Sequence, residues 1–210
     1  MSKFKLCFLD EEDSWRYMAK KRLSDEFDVT IVEQDEFPQA VSELWTIIKD
    51  SDADVVIVDY RLNESGILSY TGDAVVREIR KHNRHLPVFM ITSYESNAIQ
   101  ECEEVQIIRG KDMLSDVEKS EHLKLLIKAS VERYIRERER AEKVVQVLSA
   151  KIDAGSVLSE PEEADRFDAE IYLSELDLDS GVRASLCRTE TSANLLKLVE
   201  QTTALLSKLS

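Results

Sequence analysis

Over the first 115 residues, short apolar runs alternate with stretches of helical spacing. Phe4–Leu9, Phe27–Val32, Val55–Asp59, Pro87–Thr92 and Val105–Ile108 read as five strands. Val55, Val56, Ile57 and Val58 are apolar and β-branched in succession, which suits a strand buried on both faces of a parallel sheet. Between the strands, helices are predicted over about Ser14–Ser24, Pro38–Lys49 and Gly72–Lys81, with a short one over Asn97–Glu103. Ser14 is the expected cap of the first, with Trp15, Met18, Ala19 and Leu23 on one face, and Pro38 stands near the first turn of the second. Asn63–Thr71, containing Gly66, reads as an irregular loop. The alternation predicts an α/β fold: a five-stranded parallel, doubly wound sheet with helices on both faces.

The pattern then changes. From Val117 to about Asp153 no proline or glycine interrupts a long helix. Ile127, Val131, Tyr134, Arg138, Ala141, Val145, Leu148 and Ile152 follow steps of three and four, a heptad seam with an arginine in it. Two readings stay open: an amphipathic helix folded on its own core, or a coiled-coil or bundle helix that forms a homodimer. Gly155-Ser156 ends the helix, and Ser159-Glu160-Pro161-Glu162 is a capping-box start. The next helix is expected to turn Ala164, Phe167, Ile171 and Leu176 inward. A turn at Asp177–Gly181 and a last helix to about Leu206 complete an all-α extension. The expected division is 1–117, 118–154 and 155–210, the last segment too small to be stable alone.

Charge narrows the function classes. Residues 1–117 carry 14 basic and 24 acidic groups, residues 118–154 carry 9 and 7, and residues 155–210 carry 5 and 11. With no basic domain, nucleic acid and an anionic membrane surface are not expected as partners. Arg133, Arg136, Arg138, Arg140 and Lys143 interleave with glutamates, which reads as a solvated, salt-bridged face. No apolar run reaches the roughly 18 residues of a membrane span. Cys7, Cys102 and Cys187 are far apart and odd in number, which suggests neither a disulfide framework nor zinc and fits a cytoplasmic location.

Four strand ends carry polar groups: Asp10 and Glu11, Asp59, Thr92, and Lys111. In a doubly wound sheet the carboxyl ends of the strands share one edge, where ligands bind. Each residue singly is more often a loop or capping residue. Together, three carboxylates, a hydroxyl and an amine are a set that can converge on one pocket. His82, His85 and His122 read as surface histidines.

This set resembles the receiver domain of two-component response regulators. Leu9-Asp10-Glu11 is similar to the acidic pair after the family's first strand, Asp59 in Ile57-Val58-Asp59-Tyr60-Arg61-Leu62 to its phosphoacceptor, Ile91-Thr92-Ser93 to its hydroxyl position, and Lys111 to its lysine. Leu86-Pro87-Val88 also looks like the family's entry to strand four. The resemblance covers about residues 3–135 and implies a flavodoxin-like fold. It implies Mg²⁺ held by Asp10, Glu11, Asp59 and the backbone carbonyl of Arg61. It implies that Asp59 accepts a phosphoryl group from a phosphohistidine, with Thr92 and Lys111 assisting. The partners would be a sensor histidine kinase or phosphotransfer protein and a protein output partner reached through the helical extension. Such a chain is a phosphoacceptor signalling protein rather than an enzyme, although it assists its own phosphotransfer and dephosphorylation.

Several departures matter. The second acidic residue is the longer Glu11. Asp112 follows Lys111 where the family usually has proline, and Ile108 stands where an aromatic switch residue is common. The Asn63–Thr71 loop is longer than usual, and the Thr92–Lys111 segment is short for a full fourth helix. Asp112 and the altered face beside strands four and five favour the alternative of a pseudo-receiver, a phosphorylation-independent interaction or oligomerisation module, which the complete acid, hydroxyl and lysine set opposes. A haloacid-type hydrolase would need an aspartate where Arg61 stands, and is set aside.

Overall fold

The computed structural model describes residues 3–177. The turn expected beyond Asp177 and the final helix to Leu206 lie outside the described residues. The chain divides into two units, Met1–Arg140 and Ala141–Ser210.

In the first unit, β1 (Phe4–Leu9), β2 (Phe27–Val32), β3 (Val55–Asp59), β4 (Val88–Thr92) and β5 (Ile108–Gly110) form one parallel sheet in the order β2-β1-β3-β4-β5. All five residues of β3 are buried, because it lies at the centre of the sheet and both its faces are covered. Val56 and Val58 point into a cluster with Leu44 and Ile48 of α2 (Val41–Asp50) and Val75, Val76 and Ile79 of α3 (Gly72–His82). Val55 and Ile57 point the other way, to Ala19 and Leu23 of α1 (Asp13–Leu23) and to the first part of the long helix. This is the five-stranded, doubly wound, flavodoxin-like fold expected, followed by a helical C-terminal region.

The differences are local and have causes. Glu12, not Ser14, is the N-cap residue of α1, and it makes no side-chain cap. α2 begins at Val41 rather than Pro38. Phe37, held extended before the proline, is buried in the core, and the Pro38 carbonyl accepts the Tyr70 hydroxyl at 2.9 Å instead of starting a helix. α4 spans Glu95–Glu101, two residues early. β5 is Ile108–Gly110, while Val105–Ile107 forms a 3₁₀ turn. Arg80 on α3 grips Glu104 at 2.8 Å and holds the chain there in the turn. Pairing then starts with Ile108 opposite Met90 and ends with Gly110 opposite Thr92, so Lys111 emerges just beyond the ladder.

A four-residue helix, α5 (Asp112–Ser115), precedes α6 (Val117–Asp153). The start of α6 belongs to the core of the first unit. Leu123, Ile127 and Val131 are fully buried among Leu23, Phe27, Phe89 and Ile91. Lys124 is buried there too, with its ammonium 2.7 Å from both Asp25 and Glu121. In the second unit, Ala141 and Leu148 are buried on α6, and α7 spans Glu160–Leu176. Its expected capping box forms, with Glu162 accepting the Ser159 N–H at 3.0 Å. The inward face of α7 differs from expectation. Ala169 and Ser174 are buried and Leu176 is half-buried, while Ala164, Phe167 and Ile171 are exposed. No helix among the described residues is long and apolar enough to cross a membrane.

If α6 closes the core of the first unit, Ile127→Ala removes a fully buried side chain and is expected to cost about 2–5 kcal/mol. A urea titration of the full chain reads this as a lower midpoint, whereas an unchanged midpoint contradicts the packing.

Candidate functional site

Asp10 follows β1, Asp59 ends β3, Thr92 ends β4 and Lys111 follows β5, so parallel pairing brings all four to the carboxyl edge of the sheet. Asp10 and Asp59 meet through one amine. The Lys111 Nζ lies 3.0 Å from Asp10 Oδ2, 3.2 Å from Asp59 Oδ1 and 3.4 Å from Glu12 Oε1. Asp10, Asp59, Thr92 and Lys111 are all buried. Trp15 also borders the site, its ring 5.1 Å from the Lys111 ammonium.

Backbone bonds hold these tips. The Lys111 N–H donates to the Thr92 carbonyl at 2.9 Å, and the Tyr60 N–H to the Ile91 carbonyl at 2.9 Å. The Thr92 Oγ accepts the Tyr94 N–H at 2.9 Å. Glu12 N–H caps Asp10 Oδ1 at 2.9 Å. Gly72 sits so close behind Asp59 that a Cβ would stand 2.2 Å from its carbonyl oxygen, so no larger residue fits there without moving the backbone.

Two expected ligands are placed differently. Glu11 is turned toward the β3–α3 loop, where it accepts the Ser65 N–H at 2.9 Å and the Ser65 hydroxyl at 2.6 Å. The Arg61 carbonyl accepts the Glu64 N–H at 3.3 Å, which leaves it one lone pair. The Arg61 guanidinium lies 3.6 Å from the centre of the Tyr94 ring, and Tyr94 donates its hydroxyl to Glu64 at 3.2 Å.

Sequence reasoning missed Arg16, Ser65 and Gly72. Arg16 is buried on α1, donates to the Asp10 carbonyl at 2.9 Å, and pairs with Asp13 and with Glu33 at 3.2 Å. The signal was there: Arg16, Ala19 and Leu23 lie on one inward helical stripe, and a cation in such a stripe has a buried acceptor.

Two carboxylates and one ammonium under little water have predictable electrostatics. Burial, and then repulsion from Asp10, push Asp59 up to about 7, against the pull of Lys111. Burial also raises Asp10 above the usual carboxylate range. Burial opposes the charge on Lys111, yet Asp10 and Asp59 together outweigh it and raise Lys111. Asp10 Oδ2 is close to that ammonium but receives no aligned hydrogen bond, so a buried oxygen lone pair is left open. Hard oxygen donors with an open position suit Mg²⁺, which needs only one or two carboxylates and keeps several waters. Among the described residues no group of three or more His, Cys, Asp or Glu side chains is placed to hold a metal ion together.

The sheet order defines the class of fold: a five-stranded, parallel, doubly wound, flavodoxin-like sheet followed by a helical region. No family model matches the chain, and no curated protein matches it either. Among solved structures it is similar to the RcsB response regulator of Salmonella typhimurium, from work on its conformational dynamism for DNA interaction, at 17% identity and TM-score 0.44 over 89% of this chain and 98% of that one. An RcsB–DNA complex matches at 16% identity and TM-score 0.43 over 90% and 100%. A fusion carrying a trimeric coiled coil of yeast Spc42 matches at 15% and TM-score 0.45 over 73% and 95%. The fold assignment rests on the topology and not on these distant matches. One expectation is corrected by them: nucleic acid is not excluded as a partner, since RcsB was solved bound to DNA. Charge summed over a segment does not describe any one face of it, so the acidic balance does not set nucleic acid aside.

The raised Asp59 carboxyl gives a pH dependence of definite sign. Its folded value lies above the unfolded one of about 3.9, so its stabilising contribution is complete below that pH. It is lost as pH rises through about 7. Asp59→Asn removes the cost of ionising the group. Its gain in stability over the natural chain is expected to grow by on the order of 2 kcal/mol between pH 4 and pH 8, measured by urea midpoints. A gain independent of pH contradicts the buried-cluster electrostatics.

Proposed function

We propose that the chain is a signalling receiver in which Asp59 takes a phosphoryl group from the phosphohistidine of a sensor kinase or phosphotransfer protein. The observation that supports this best is one buried ammonium, Lys111, shared by Asp10 and Asp59 at the end of the sheet. Asp10 and Asp59 are the residues to hold Mg²⁺, with Glu11 and the Arg61 carbonyl as its further ligands in the reading carried from the resemblance. When bound, the ion supplies positive charge that neutralises the carboxylates and the transferring group.

The chain's own residues do the rest. Asp59 must be ionised to act, so a second cation beside it favours the nucleophile. One Asp59 oxygen forms the new P–O bond as the P–N bond to the donor imidazole breaks, and the imidazole leaves with that electron pair. Lys111 holds positive charge against the transferring oxygens. Thr92, held by Tyr94, turns its hydroxyl to the phosphorylated state. The new charge of about −1.5 to −2 would be read out through α4, β5 and the helical region. The division at residues 117 and 154 and a cytoplasmic place of action are parts of the same proposal, as is a role as signalling protein rather than enzyme.

The pseudo-receiver reading keeps one specific observation in its favour: Glu11 faces Ser65 instead of Asp59. Acetyl phosphate with Mg²⁺ separates the two. One phosphoryl group per chain is expected, absent in Asp59→Asn and formed roughly tenfold or more slowly in Lys111→Ala, as read by mass spectrometry. No incorporation, or incorporation that persists in Asp59→Asn, overturns the phosphoacceptor reading.

A further inference from the structure

We propose that Glu11 is a latch with two exclusive partners, Ser65 in the metal-free site and the divalent ion in the loaded one, so that ion binding releases the loop of residues 63–67. The inference rests on the metal-assisted reading above and adds to it a moving part.

Three observations carry it. First, Glu11 is 8% exposed and both its oxygens are engaged by a single residue, Oε1 with the Ser65 N–H and Oε2 with the Ser65 hydroxyl. The double bond to Ser65 fixes the carboxylate on the loop, so placing it on an ion at Asp10 requires the side chain to turn away from Ser65. Second, the site lacks what Glu11 could give. Its neighbour Asp10 is fully buried with an oxygen that receives no aligned donor, and Asp10 and Asp59 share their amine with Glu12 as well. Glu has one more rotatable bond than Asp, which lets one side chain reach either Ser65 or the strand end. Third, the other ties of this segment are at Glu64, to Tyr94 and Arg61, and within the turn itself, from Gly66 to Asn63. Gly66 is left-handed with φ +76° and open space around it, and Ile67 is half exposed. The residues after it are fixed independently, with Leu68 and Tyr70 buried and the Tyr70 hydroxyl on the Pro38 carbonyl. Release at Ser65 therefore frees a short arc and leaves the start of α3 in place.

The consequence is a coupling. The apparent affinity for the ion is reduced by the fraction of chains in which Glu11 is free. Ser65→Ala removes the hydroxyl donor from an exposed position, so the fold is expected to survive. The test is a Mg²⁺ titration of the full chain with Trp45→Phe, which leaves Trp15 as the reporter beside Lys111, together with amide hydrogen exchange over residues 62–69. The latch predicts that Mg²⁺ speeds exchange at 63–67 in the natural loop. It predicts that Ser65→Ala already exchanges fast without Mg²⁺ and binds the ion about three- to tenfold tighter, while Glu11→Gln binds it at least about tenfold more weakly. If Mg²⁺ binds but Ser65→Ala has unchanged affinity and loop exchange does not respond, the latch is overturned and the metal-assisted reading stands. If no Mg²⁺ response occurs even in the natural sequence, and none in Ser65→Ala, both fall.

Discussion

A single ammonium, that of Lys111, has to balance two carboxylates in a place where water is nearly excluded. Taking Asp10 and Asp59 out of water is costly, and one cation does not fully repay it. Such an arrangement persists only because the sheet imposes it. β1, β3 and β5 end at the same edge, and the ladder between β4 and β5 stops at Gly110, one residue before the amine. The packing on both faces of β3 supplies the stability that the charge cluster spends.

The surrounding residues make sense as supports for that imbalance. Arg16 takes the Asp10 carbonyl from inside α1 and brings a second buried cation close to the acidic tip. Gly72 lets α3 start directly behind Asp59. The excess negative charge that remains is what a divalent cation would neutralise, and Asp10 Oδ2 still lacks a hydrogen-bond donor. The first part of α6 matters for the same reason at a distance. Leu123, Ile127 and Val131 seal the face of the sheet that carries Val55 and Ile57, and so keep β3 in register.

Much of this was legible in the sequence, for identifiable reasons. Period and burial fixed the strands, because β-branched runs such as Val55–Val58 have no comfortable alternative. The strand-end residues followed from topology alone. What was not legible depended on partners far along the chain. Pro38 looked like a helix start until the Tyr70 hydroxyl claimed its carbonyl. Val105 looked like a strand residue until Arg80 held Glu104 in a turn. Glu11 looked like a neighbour of Asp59 until Ser65, 54 positions away, engaged both its oxygens. The inward face of α7 was misassigned because apolar spacing marks a stripe without saying what covers it. Nucleic acid could not be set aside on charge summed over segments, because binding depends on surfaces.

The central claim, that Asp10 and Asp59 form an under-neutralised buried pair built to receive a cation, is tested most directly by a carboxyl ¹³C NMR titration of Asp59 with and without Mg²⁺. The account predicts a midpoint near 7 in the free chain, falling by at least about one pH unit when Mg²⁺ is saturating. An ordinary carboxylate midpoint that does not move on adding Mg²⁺ would contradict it.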